Sequence, residues 1–122
     1  MKHSISLDQA KKMTGHFRKE REKVIKPEFK GKKMLPTCET FEREGFDKLL
    51  QQPGCVSVRI YLGMDEEKQV KIIIVGVNEQ GEDILPNLTE KSTSDYGVIL
   101  EEGARCPDLC PPSSTLNSDD LL

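Results

Sequence analysis

Two cysteines four residues apart, each followed by proline, stand near the end of the chain in "GARCPDLCPPSSTLNS". Cys106 and Cys110 could share a metal ion, form a thiol redox couple, or only shape a turn. Pro107 and Asp108 suit the two central positions of a type I turn, which would bring the sulfurs together. Redox couples usually hold two residues between their cysteines and open a helix that lowers the thiolate pKa. Here three residues intervene, and Pro111-Pro112 bars an ordinary helix. A structural zinc needs four ligands. Cys38, Cys55, His3 or His16 would have to complete the set, and none of them forms a second close pair. The balance favours a proline-rigid turn that pins the C-terminal segment to the domain, its cysteines acting as small hydrophobes. No cofactor is expected; a metal (zinc) or thiol site at Cys106 and Cys110 is the alternative.

Arg59 and Tyr61 form the second constellation. They alternate with apolar residues in "CVSVRIYLG" and so share a strand face with Ser57. An open face of that kind could hold an anionic ligand. The commoner arrangement pairs the arginine with an acid on another strand, here Glu101 or Glu102, with Tyr61 packed along its carbon stem. His16 sits in a charged helical stretch beside Phe17 and reads as solvated. The acidic run "DEEK" lacks the alternating oxygens and the glycine of a calcium loop. No GxSxG, GxxxxGK or HExxH pattern occurs. No catalytic residue is assigned, and a non-enzymatic role is favoured.

These residues need a frame. Ser6–Gln9, "SLDQ", is a capping box. Leu7, Ala10, Met13, Phe17, Val24 and Ile25 follow at helical spacing, so a helix is expected from about Leu7 to Ile25, ending before Pro27. A basic connector follows, and a second helix capped by Thr37 or Thr40 carries Phe41, Phe46, Leu49 and Leu50 to a stop at "QQPG". In the next segment Val56, Val58, Ile60 and Leu62 face one way, which predicts a half-buried strand. "QVKIIIVGVN" is apolar on both faces and should be covered on both. "NEQG" turns the chain into a short strand at "EDIL", and "YGVILEE" is expected to be a fourth. The expected fold is α+β: two N-terminal helices packed on an antiparallel sheet of three or four strands, followed by an irregular Cys/Pro-rich tail. One domain is expected over 1–105, with a tail over 106–122 whose last residues are disordered.

Composition narrows the function classes. Of 122 residues, 35% are hydrophobic and 32% charged, too apolar for a disordered chain, and no stretch is long enough to span a bilayer. The start has no apolar leader-like core, so a cytoplasmic protein with reduced thiols is the expectation. Residues 1–54 carry 13 Lys+Arg against 8 Asp+Glu, and residues 55–122 carry 5 against 13. A basic stretch from Lys11 to Lys33 invites a nucleic-acid reading, but no aromatics interleave it for stacking, so nucleic acid is not the expected partner. A protein partner or a homodimer is.

Three stretches, "LLQQPGCVSVRIYLGMDEE", "KIIIVGVNEQGEDIL" and "GARCPDLCPPSSTLNS", resemble a family of short uncharacterised bacterial proteins with an R-I-Y-x-G strand, a V-G-V strand and a late C-P-x-x-C-P-type tail. The resemblance covers about residues 49–118. It places Arg59, Tyr61, Gly63, Gly76, Gly81, Cys106 and Cys110 in the family pattern and implies a role for the tail, but it brings no activity and no catalytic residue.

Overall fold

The computed structural model describes residues 2–86 and 97–118. The chain divides into two compact units: residues 1–38 with 105–122, and residues 39–104. The fold is α+β with antiparallel sheet.

In the first unit, helix α1 spans Leu7–Glu20. The Ser6 hydroxyl accepts the Gln9 N–H at 3.1 Å while the Gln9 side-chain oxygen accepts the Ser6 N–H at 3.1 Å, so two otherwise orphaned donors are satisfied. The helix tightens to a 3₁₀ turn over Arg21–Val24, and a second 3₁₀ turn, Pro27–Phe29, starts on proline. None of the residues of α1 is buried. The C-terminal segment belongs to this unit, where the Leu116 carbonyl accepts from the Arg18 guanidinium at 2.5 Å. The expected disorder of the last residues concerns positions 119–122, which lie outside the described residues.

In the second unit, helix α2 runs from Arg43 to Leu50 and packs against strands β3 (Val70–Val77) and β5 (Ile99–Leu100). Neither Thr37 nor Thr40 caps it. Residues Cys38–Thr40 form a short strand, β1, paired with β6 (Ala104–Cys106), and Glu42 occupies the cap position instead. Three-residue strands carry too little periodicity to be read from sequence.

Among the described residues the main sheet has four strands. β2 (Ser57–Met64) pairs antiparallel with β3 from Ser57↔Val77 to Met64↔Val70. On its other edge β3 pairs with β4 (Asp83–Ile84) and with β5. The β2–β3 turn closes through Asp65, whose N–H reaches the Gln69 carbonyl at 3.1 Å and whose carboxylate accepts the Gln69 N–H at 2.9 Å. The β3–β4 turn uses Gly81 at φ 79°, a left-handed conformation glycine adopts without steric cost.

Ile74, Val75, Val77, Ile84 and Leu49 are buried, so the C-terminal half of β3 is covered on both faces as its composition requires. Gly76 admits the close packing: a Cβ there would meet the Gln52 amide at 2.9 Å and the Cys55 sulfur at 3.0 Å. The apolar face of β2 departs from expectation. Val56, Val58, Ile60, Leu62 and Met64 are 59, 39, 59, 77 and 64% exposed. Alternation marks which residues share a face, but α2 is eight residues long and packs chiefly on β3 and β5. Among the described residues, no helix is long and apolar enough to cross a membrane.

Candidate functional site

The sheet brings Arg59 and Tyr61 onto one carboxylate. Both project from the β2 face that also carries Val75 and Val77 of β3, and Asp83 stands opposite Val77 on β4. One Asp83 oxygen accepts from the Arg59 guanidinium, the other from the Tyr61 hydroxyl. A second guanidinium nitrogen donates to the Gly81 carbonyl at 3.2 Å. The arginine is thus paired with Asp83 of β4 rather than with Glu101 or Glu102. Tyr61 contributes through its hydroxyl.

The electrostatics follow from this sharing. The Tyr61 hydroxyl, then the Arg59 guanidinium, hold the Asp83 carboxyl below the usual carboxylate range. Asp83 in turn raises both the Arg59 guanidinium and the Tyr61 phenol above their ordinary values. The cluster is internally neutralised. It ties β2 to β4 across β3, and the arginine has its charge partner already.

Cys106 and Cys110 are joined as a disulfide with Cα atoms 4.4 Å apart. The Leu109 N–H donates to the Arg105 carbonyl at 2.8 Å, which folds the segment tightly enough for the sulfurs to meet. The peptide bonds on both sides of Pro107 are cis. The pair is therefore bonded rather than two separate small hydrophobes: Cys106 is buried, but Cys110 and Leu109 are exposed. Cys38 and Cys55 are free thiols. Among the described residues no group of three or more His, Cys, Asp or Glu is placed to hold a metal ion.

Two polar residues that sequence reading passed over are buried. Gln52, read only as part of a helix stop, donates to the Leu49 carbonyl at 2.9 Å and accepts from the N–H groups of Gly97 and Val98 at 2.5 and 2.7 Å. It fastens the approach to β5 onto the end of α2. Arg105 donates to the Lys33 and Met34 carbonyls at 2.7 and 2.9 Å, while Lys33 pairs with Asp108. Neither has a sequence signal, since Gly97 and Val98, which bond to Gln52, and Lys33 and Met34, which bond to Arg105, are distant along the chain.

Among the described residues, two surface hollows on the first unit stand out. One, of about 310 Å³, is lined by Met13, His16, Phe17, Glu20, Arg21 and Val24. All of these come from one continuous helical stretch, and Arg21 lies over the Phe17 ring at 5.7 Å. The other, of about 350 Å³, includes Lys11, Lys12, His16 and Arg18 with Thr115 and Ser118. Neither contains a buried ionisable group. No protein-family model matches this chain, and no curated protein or solved structure does either.

Proposed function

We propose that this protein acts by binding rather than by catalysis, engaging a protein surface through the sheet of its second unit. The observation that carries this reading is the row Val58, Ile60, Leu62 and Met64, exposed along one face of β2. Fully burying one such side chain is worth about 1.5–3 kcal/mol, so this row offers a contact with several kcal/mol of apolar stabilisation. Scattered exposed hydrophobes are ordinary, whereas a contiguous row marks an interaction surface. The polar cluster on the opposite face supports the same reading, because Asp83 already neutralises Arg59.

A photo-reactive aromatic residue substituted at Leu62, whose side chain is exposed, tests this in living cells. Irradiation is expected to give a discrete protein adduct that is absent when the reactive residue replaces exposed Glu79 in the opposite hairpin turn. Equal, diffuse labelling from both positions would contradict a binding role for the row.

A further inference from the structure

The exposed row lies on a strand whose hydrogen-bonding edge is also open among the described residues. In an antiparallel ladder, alternate residues turn their N–H and C=O groups toward the neighbouring strand and the others turn theirs away. Asp65 bonds to Gln69 across the turn. In the observed register, that alternation aims Gly63, Tyr61, Arg59 and Ser57 at β3. Val58, Ile60, Leu62 and Met64 therefore direct their backbone groups outward, and β2 is the terminal strand of the sheet among the described residues. The same four residues carry the exposed apolar side chains. Edge strands are normally blunted by lysine, proline, a bulge or short length. β2 is eight residues long, has neither lysine nor proline, and keeps its single charge, Arg59, on the other face in the grip of Asp83.

We propose that β2 pairs antiparallel with β2 of a second copy of this chain about a two-fold axis at Tyr61, joining two four-stranded sheets into one. The inference rests on the binding reading above and names its partner. A second copy fits because the strand is complementary to itself. Centred on Tyr61, every outward-facing residue meets another: Ile60 lies opposite Leu62 of the second copy, and Val58 opposite Met64. The apolar row then continues unbroken across the junction. On the other face Arg59 lies opposite Gly63 of the second copy, which has no side chain, so the two arginines do not meet. The acidic turns at Asp65–Glu67 fall at opposite ends of the junction, whereas parallel pairing would set them side by side. A two-fold axis generates this antiparallel, isologous contact from one surface.

The full chain, studied by sedimentation velocity at micromolar concentration, is expected to have twice the monomer mass. Leu62→Lys sets a charge against Ile60 of the second copy, and Ile60→Pro removes an outward N–H without touching the ladder to β3. Each should raise the dimer Kd at least ~10-fold, with circular dichroism verifying that the fold persists. Tyr61→Cys places two thiols face to face at a non-hydrogen-bonded pair, where Cα atoms are about 4.5 Å apart. Mild oxidation should therefore give covalent dimer well above the native chain, and Leu62→Cys should not. A monomeric native chain, or a dimer that none of these substitutions alters, would overturn the inference. Adducts from Leu62 to a different protein, with a monomeric purified chain, would overturn it while leaving the binding reading intact.

Discussion

Asp83 shows how much a single carboxylate can organise. It accepts from Tyr61 and Arg59 together, and its depressed pKa means that folding favours the ionised form. The linked stability is fully present above the ordinary Asp range and is lost as pH falls through the depressed folded value. Tyr61, raised by the same contact, contributes below the ordinary tyrosine range and loses that contribution as pH rises through its raised folded value. Thermal unfolding of the native chain and of Asp83→Asn should therefore differ most near neutral pH and converge in acid. A pH-independent gap between the two would mean the cluster is not charge-linked. The strand-face pairing of Arg59 with Tyr61 followed from period-2 alternation alone. The acid they share did not, because a two-residue strand next to β3 depends on long-range register. The cysteines show the same divide: their spacing suggested that the sulfurs would lie close, but the bond itself needed the fold of the Arg105–Leu109 turn.

Among the elements, those specified locally were the most readable. The Ser6 and Gln9 capping pair, the alternating hairpin of β2 and β3, and the Asn78–Gly81 turn each depend on neighbours within a few residues. β1 and β6 were missed because each consists of three residues without a period, and the start of α2 moved from threonine to Glu42 as a consequence. Gln52 belongs at this scale because it joins two elements. Its side-chain oxygen is the acceptor for the N–H groups of Gly97 and Val98. Gln52→Leu preserves the bulk and strands those donors, and an unsatisfied buried donor costs about 1–3 kcal/mol. Urea unfolding should show a free energy of unfolding lowered by roughly that amount, seen as a lower midpoint with an unchanged slope, and Gln52→Glu, which keeps the acceptor, should lose less. Equal losses for the two variants would show that the amide donor, not the shared oxygen, is what matters.

Across the whole molecule, the charge asymmetry visible in sequence follows the structural division. Residues 1–38 with 105–122 carry 12 Lys+Arg and 7 Asp+Glu, while residues 39–104 carry 6 and 14. The second unit is thus strongly acidic, yet its edge strand holds only Arg59, and that charge is paired. A long, nearly uncharged, apolar edge on an otherwise charged unit is the feature from which the functional reading grows. Its alternation was plain in the sequence; its exposure was not, since amphipathic patterning identifies a face without saying whether the chain itself covers it. Amide hydrogen exchange, resolved residue by residue at low and high protein concentration, tests edge pairing most directly. Pairing with a second copy predicts that Arg59, Tyr61 and Gly63 are protected at every concentration, while protection of Val58, Ile60, Leu62 and Met64 rises with concentration. Fast exchange at those four amides across the whole range would contradict it.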